Sequence, residues 1–125
     1  MRSATVQRET GETRIDLTLE LDGTGTLSGE TGIGFFDHML HALVKHARFD
    51  LSFTCAGDLH VDDHHSIEDL GICIGQAFHQ ALGDGRGITR FSHSYVPLDE
   101  ALCRTVVDIS GRGFLAFDSN YARST

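Results

Sequence analysis

The chain has 125 residues, a length that suits one ordinary domain or a part of one. Eighteen Asp and Glu residues against ten Lys and Arg give it a formal net charge of −8. This acidic balance argues against nucleic acid or an anionic membrane as a partner. A hydrophobic fraction of 40% predicts a folded domain with one core, and no apolar run approaches the length of a membrane span.

The first half of the chain predicts a hairpin followed by a helix. Residues 4–27 alternate as two strands, and one face of the second strand carries Ile15, Leu17, Leu19 and Leu21. The glycine-rich link that follows predicts a loop. Residues 35–48, FFDHMLHALVKHAR, predict a helix. Its expected apolar stripe contains Phe36, Met39, Leu40, Leu43 and Ala47.

The second half predicts one more strand, a long helix and further strands. Residues 50–56 alternate as a strand, and a helix is expected from about Asp63 to Leu82. Its apolar positions are Ile67, Leu70, Ile74, Ala77 or Phe78, and Ala81. Strands are expected over 91–97, 101–109 and 114–119. This order of elements predicts an α+β or layered α/β domain in which a second, similar unit begins near the end.

Histidine and cysteine usage adds chemistry to this outline. The eight His residues are a high number for this length, and histidine is the commonest metal ligand. The three cysteines, Cys55, Cys73 and Cys103, are far apart and form no C-x-x-C pair, so reduced thiols of a cytoplasmic protein are expected. The polar N-terminal residues predict no signal peptide.

Residues 57–78, GDLHVDDHHSIEDLGICIGQAF, crowd three His and five acidic side chains at a helix start. His64 and His65 lie four and three positions before Glu68, so these side chains are neighbours on a helix surface, outside the apolar stripe. Two adjacent imidazoles diverge and can reach two different metal ions. Mixed imidazole and carboxylate ligands suit Mn²⁺, Fe²⁺ or Zn²⁺. The alternative is an acidic helix start that the helix dipole favours, with His present by chance.

Three further histidines lie on the first helix. His38 and His41 fall on its polar side and His46 at its flank. Taken alone, each is either a solvated side chain or a ligand, and the grouping favours a ligand.

Three charged residues lie beside glycines. Glu12 follows Gly11 at the hairpin bend, where a solvated turn is the simplest interpretation of the sequence. Arg90 and Arg112 lie in glycine-containing segments where a guanidinium can bind a phosphate through two hydrogen bonds, or can be an ordinary surface group.

Five motifs occurring in order give these patterns a common interpretation. They are GFFDHML with a following His at 46, GDLHVDDHHSIEDLGICIGQA, GITRF, PLDEAL and DISGR. Together they resemble the imidazoleglycerol-phosphate dehydratase family of histidine biosynthesis, and the match runs from about residue 5 to the end.

The resemblance implies a duplicated fold of the ribosomal S5 domain 2-like type, a two-layer sandwich with a four-stranded sheet backed by helices. Residues 1–90 correspond to the first half, and residues 91–125 correspond to the opening hairpin of a second half whose remainder is missing. It further implies a large symmetric homo-oligomer with active sites between subunits, two Mn²⁺ ions per site, and a cytoplasmic location, or a plastid one in a plant.

The resemblance also assigns roles to residues. His38, His64, His65 and Glu68 correspond to metal ligands, and the second half supplies the remaining ligands. Glu12 corresponds to the acid/base residue, and His38, His46, Arg90 and Arg112 correspond to substrate contacts, the two Arg near the phosphate. The implied reaction dehydrates imidazole glycerol phosphate to imidazole acetol phosphate. Two alternatives stay open: an inactive half-domain that binds metal or self-associates, and a metal-dependent hydrolase that uses the same ligands.

Overall fold

The computed structural model describes residues 1–119 of the chain. Its elements are β1 (Ser3–Glu9), β2 (Thr13–Glu20), β3 (Leu27–Ser28), α1 (Gly34–Ala47), β4 (Asp50–Gly57), α2 (His64–Leu82), β5 (Phe91–Leu98) and β6 (Ala101–Asp108). They divide into two compact units, Met1–Gly85 and a second one that begins at Arg86. The assignment of residues 1–90 and 91–125 to two halves of a duplicated fold stays a prediction.

The first unit is a four-stranded sheet with two helices. The strand order is β1-β2-β4-β3, with β1, β2 and β4 antiparallel and β3 parallel to β4. The expected α+β architecture is thereby confirmed. The sequence predicted a loop where strand β3 lies. The strand contains only Leu27 and Ser28, which is too short for an alternating pattern to be visible in the sequence. Within the described residues, neither helix has the length and apolar character that crossing a membrane requires.

One face of this sheet is buried, as the alternation in β2 predicts. Ile15, Leu17 and Leu19 are almost fully inaccessible, and Leu21 packs against the core with partial burial. The neighbouring strands contribute the core residues Ala4, Val6, Leu51 and Phe53.

Helix α1 buries a different set of residues from the one its sequence predicts. Leu40 and Val44 are buried and Phe36 is partly buried. The prediction was wrong for Met39, Leu43 and Ala47, which are exposed. The helix has two apolar rows at four-residue spacing, one containing Phe36, Leu40 and Val44 and the other containing Phe35, Met39 and Leu43. Helical periodicity alone does not choose which row faces the sheet.

Helix α2 packs across β1 and β2. Its buried residues are Ser66, Asp69, Leu70, Cys73, Ala77 and Ala81. Leu70, Ala77 and Ala81 confirm the predicted stripe, whereas Ile67 is 38% exposed and was wrongly assigned to it. Two polar residues on the buried face, Ser66 and Asp69, were not predicted. The three cysteines are free thiols, with Cys73 buried in the core.

The second unit contains an antiparallel hairpin of β5 and β6, and every residue of both strands is exposed. The strand predicted over 114–119 is wrong, since these residues form no regular structure. The segment begins with a short apolar run, but such a run makes a strand only where a neighbouring strand supplies hydrogen bonds.

Helix α2 begins close to the end of β4, and a glycine makes this approach possible. A Cβ atom added at Gly57 would overlap the hydroxyl oxygen of Ser66, a residue with no exposed surface. That oxygen also has no hydrogen-bond partner in the described structure. Any side chain at residue 57 therefore forces the Ser66 hydroxyl, or the helix that carries it, to shift.

We expect Gly57→Ala to lower the free energy of unfolding by about 1–3 kcal/mol, the usual cost of overpacking a well-filled interior. Urea denaturation measures the change. Gly71→Ala is the control, on the helix that Gly57 approaches, because a Cβ there meets no atom within 4 Å. Alanine is favoured over glycine inside a helix by about 1 kcal/mol, so this variant should be more stable. Equal stability of Gly57→Ala and the parent would contradict the close packing.

At the start of β4, the Asp50 carboxylate holds the loop that precedes β3. Its Oδ1 atom accepts backbone N–H bonds from Thr24, Gly25 and Thr26, at 3.0, 3.1 and 2.9 Å. These bonds, led by those from Thr26 and Thr24, lower the pKa of Asp50 below its ordinary value of 3.8. A lowered pKa in the folded state means that the charged carboxylate stabilises the fold.

The stabilisation from Asp50 should be present above pH 3.8 and lost as the pH falls through the lowered pKa. Asp50→Asn should therefore reduce the urea midpoint at neutral pH, and the difference from the parent should shrink in acid. Exposed Glu30→Gln serves as a control for the loss of one negative charge. A difference in urea midpoint between Asp50→Asn and the parent that stays constant with pH would contradict the role of the ionised carboxylate.

Candidate functional site

The first turns of α2 present the HHxxE motif at the edge of the first unit. The Nε2 atom of His64 lies 2.7 Å from Oε2 of Glu68, one helical turn away. Both side chains are more than half exposed, so they lie outside the buried face of the helix, where their spacing predicts them. The rings of His64 and His65 are 5.4 Å apart and nearly perpendicular. The two imidazoles therefore face different directions.

His65 is held by the residue that follows β4. Its Nδ1 atom lies 2.8 Å from Oδ2 of Asp58, whose side chain is 15% exposed. Because an ionised carboxylate only accepts hydrogen bonds, Nδ1 carries the proton in this contact and Nε2 remains free. The hydrogen bond that His65 donates to Asp58 raises the pKa of His65 above 6.5, and the negative charges of Asp58, Glu12 and Asp69 raise it further.

The pairing of Thr13 with Gly57 brings the Glu12 turn to the end of β4, next to the Asp58–His65 contact, although 53 positions separate Glu12 from His65 in the sequence. Glu12 lies in the turn between β1 and β2. Its Oε2 atom accepts a 3.2 Å hydrogen bond from the Thr10 hydroxyl, and its backbone N–H donates to the same hydroxyl at 3.1 Å. The turn is therefore an organised structure and not a freely solvated bend.

The other candidate residues of the first unit are not gathered into this cluster. His38 and His46 are exposed on α1. In residues 1–119, no three His, Cys, Asp or Glu side chains come together as a metal-binding group. The described residues thus supply the pair His64–Glu68 and the oriented imidazole of His65, and their roles as metal ligands stay predictions.

The two candidate arginines belong to the second unit. Arg90 pairs with Asp108 through a 2.7 Å contact from Nε to Oδ1, and its guanidinium lies 4.9 Å from the centre of the Phe91 ring. Arg112 and Arg104 line an open cleft of about 420 Å³. Arg104 was not singled out from the sequence. The predicted roles of Arg90 and Arg112 in phosphate binding stay predictions.

Sequence patterns also missed the residues that hold the cluster in place, namely Asp58, Asp69, Thr10 and Thr13. Asp58 carried a usable signal, because it directly follows the last residue of a strand and precedes a His-rich helix start. The other three acquire their roles only through contacts between β1, β2 and α2.

We expect Asp58→Asn to lower the pKa of His65 towards 6.5, because it removes the negative charge and the strongest acceptor from Nδ1. An NMR titration of the imidazole C–H signals measures the shift. Asp62→Asn is the control, an exposed carboxylate in the same loop. Because the pKa of His65 is raised in the folded state, protonated His65 stabilises the fold below pH 6.5. This stabilisation is lost as the pH rises through the pKa of His65 in the folded protein. An unchanged titration of His65 in Asp58→Asn would contradict the assignment.

Comparison with known proteins places this geometry in a family. The family model described as imidazoleglycerol-phosphate dehydratase matches residues 31–125. Imidazoleglycerol-phosphate dehydratases of Acidiphilium cryptum and Gluconobacter oxydans are 57% and 59% identical to the chain over 122 residues. Each alignment covers 98% of this chain and 62% of the relative. The chain therefore spans less than two thirds of the length of these relatives.

Solved structures show the same likeness. The imidazoleglycerol-phosphate dehydratase of Staphylococcus aureus superposes with a TM-score of 0.79 at 33% identity, covering 97% of this chain and 65% of that one. The enzyme of Pyrococcus furiosus gives a TM-score of 0.78 at 32% identity, covering 96% and 63%. On both sequence and fold, this chain belongs to the imidazoleglycerol-phosphate dehydratase family.

Proposed function

We propose that this chain contributes Glu12 and the HHxxE motif to the active site of an imidazoleglycerol-phosphate dehydratase of histidine biosynthesis. The reaction removes water from imidazole glycerol phosphate to give imidazole acetol phosphate. The observation that carries the proposal is that the Glu12 turn lies next to the end of β4, where Asp58 contacts His65 at a helix start that also presents the donor pair His64–Glu68. Family membership supports the choice of reaction.

A carboxylate at this position answers the main chemical difficulty of the reaction. The C–H bond to be broken is not acidic, and the hydroxyl to be lost is a poor leaving group. Glu12 acts as the acid or base that moves a proton at one of these atoms, a contribution of ~10²–10⁴-fold in rate. The Thr10 hydroxyl holds its carboxylate at 3.2 Å, which restricts the directions in which the proton can be delivered.

The proposed cofactor is a pair of Mn²⁺ ions, which when bound to the substrate imidazole would act as Lewis acids. Imidazole and carboxylate donors suit this metal. His64 and Glu68 would hold one ion together, and His65, with Nδ1 engaged by Asp58, offers Nε2 to another. The remaining ligands, including His38, lie outside this cluster, so we propose that the site is completed by other polypeptide segments in a homo-oligomer in the cytoplasm.

The phosphate of the substrate requires cations. We propose Arg90 and Arg112 for this role and His46 as a further substrate contact. Arg90 already pairs with Asp108, so its Nη atoms, of which one lies at a long 3.4 Å from Asp108, are the groups available for a second partner.

A second candidate is a half-domain that self-associates without catalysis. The observation in its favour is the exposed β5–β6 hairpin, since an isolated two-stranded hairpin is marginally stable in water. A dehydratase assay of this chain with added Mn²⁺, together with light scattering for its mass, separates the two. Turnover supports the enzyme, and an inactive assembly supports the half-domain. A metal-dependent hydrolase would instead cleave phosphate esters in the same assay mixture.

Glu12→Gln should lower turnover by at least about 100-fold, because an amide cannot exchange the proton, while the metal content stays at the parent level. His65→Ala should lose metal. Activity assays and metal analysis by mass spectrometry measure both. Glu9→Gln is the matched control, an exposed carboxylate at the end of β1 in the same hairpin. Normal turnover of Glu12→Gln would remove Glu12 from the mechanism.

A further inference from the structure

A carboxylate is buried on the face of α2 that packs against the sheet. Asp69 is 7% exposed and lies among Leu70, Cys73 and the other core residues of the helix. Aspartate is almost never buried in this way without partners. Its partners here come from both strands of the N-terminal hairpin. Arg8 Nε lies 3.2 Å from Oδ1, and the Thr13 hydroxyl donates to Oδ2 at 2.5 Å.

The bond from Thr13 to Asp69 fixes the direction of a longer chain of hydroxyl groups. Thr13 has one hydroxyl proton, and an ionised carboxylate can only accept, so that proton points to Asp69. The oxygen of Thr13 is then left as an acceptor for Thr10, whose hydroxyl is 3.1 Å away. Thr13 is 3% exposed, so water cannot readily replace these contacts.

The hydroxyl of Thr10 is the last link before Glu12. Its oxygen accepts the backbone N–H groups of Glu12 and Thr13 at 3.1 and 3.0 Å. Its single proton is shared between two acceptors, Thr13 Oγ1 and Glu12 Oε2. The backbone of the turn that bears Glu12 is therefore joined to Asp69 by a continuous set of contacts through Thr10 and Thr13.

We infer that Asp69 and Thr13 are positioning residues for Glu12, which hold its carboxylate at a set place relative to His65. Helix α2 carries both His65 and Asp69, the residue from which the contacts to the Glu12 turn begin. These two residues are four positions apart and are therefore neighbours on the helix surface. One turn of α2 thus orients the imidazole and anchors the turn that bears the acid/base group. The inference rests on the proposed role of Glu12.

The arrangement does more than stabilise the fold. A buried ionic group is often replaceable by apolar residues of similar volume without loss of stability. Here the polar chain does not end within the core. It runs outward from Asp69 through the hydroxyls of Thr13 and Thr10, and the Thr10 oxygen accepts the backbone N–H groups of Glu12 and Thr13. A chain of contacts that ends at the turn bearing the carboxylate is what a positioning role requires.

Thr13→Val, made in the protein in its catalytically active form, removes the central hydroxyl and keeps the branched shape of the side chain. We expect kcat to fall by about tenfold or more with KM changed less than about twofold, and the metal content to stay at the parent level, because Glu12 is misplaced while substrate and metal contacts remain. Thr13→Ser, which restores the hydroxyl, should recover most of the rate. Failure of serine to rescue a loss seen with valine would overturn the inference.

The matched control is Thr18→Val, on the same strand. Its hydroxyl also contacts a threonine across the hairpin, Thr5 at 3.2 Å, but it is exposed and outside the chain that leads to Glu12. Thr18→Val should leave kcat unchanged. Equal losses in Thr13→Val and Thr18→Val would mean that the hairpin as a whole is being perturbed, which would overturn the inference.

A double-mutant cycle with Glu12→Gln separates this inference from the proposed function. If Thr13 acts through Glu12, adding Thr13→Val to Glu12→Gln should change kcat by less than about twofold. Losses that multiply would overturn the positioning role and leave the role of Glu12 intact. Normal turnover in Glu12→Gln alone would overturn the proposed function and the inference with it.

A measurement on this chain requires no turnover. The amides of Glu12 and Thr13 both donate to Thr10, so their hydrogen exchange reports the order of the turn. Thr13→Val should speed exchange at these two amides by about fivefold or more, with Thr18→Val showing the parent rates. Unchanged exchange in Thr13→Val would show that the turn is ordered without the chain to Asp69, and would overturn the inference.

Discussion

The contact of α2 with the N-terminal hairpin determines where the candidate site lies. The helix packs across β1 and β2, and Asp69 joins it to Arg8 on one strand and Thr13 on the other. The first turn of the same helix carries His65, and the pairing of Thr13 with Gly57 places the Glu12 turn next to the strand end whose Asp58 contacts that imidazole. At the end of β4, Gly57 has no side chain to hinder the helix, and Asp58 accepts a hydrogen bond from Nδ1 of His65. The candidate site therefore lies where the start of β2 and the end of β4 meet the first turn of α2.

The sequence predicted the parts of the fold that depend on local periodicity. Alternation in β2 correctly identified Ile15, Leu17 and Leu19 as buried, because a strand with one covered face leaves a period-two pattern. Periodicity was insufficient for α1, where two apolar rows compete and packing against the sheet selects the row with Leu40 and Val44. It also failed for 114–119, where strand formation depends on a partner that no local pattern contains.

The candidate site also has a part that local spacing predicts and a part that it does not. The His64–Glu68 pair was predictable, since residues four apart on a helix must be neighbours. The hydrogen bond from His65 to Asp58 was missed although it spans only seven positions and Asp58 carried a usable signal. The chain from Asp69 to the Glu12 turn was not predictable, because it joins elements far apart in sequence. Thr13 and Asp69 are separated by 56 positions, and nothing local to either marks it as a partner of the other. The role of Glu12 came only from family resemblance, since its own neighbourhood reads as a solvated turn.

The described residues lack two things: enough donors to hold a metal ion, and an element that covers the β5–β6 hairpin. HHxxE supplies a donor pair and one oriented imidazole, whereas a metal ion held by protein groups needs at least three donors. The β5–β6 hairpin exposes Tyr95, Val96 and Val106 together with its other apolar side chains, and such a hairpin needs a covering element for stability. If the proposed function is correct, polypeptide beyond residues 1–119 has to supply both the missing donors and the covering surface. A second copy of the motif satisfies the first need, and helices packed on the hairpin satisfy the second. Metal binding and burial of the hairpin should therefore depend on the same assembly.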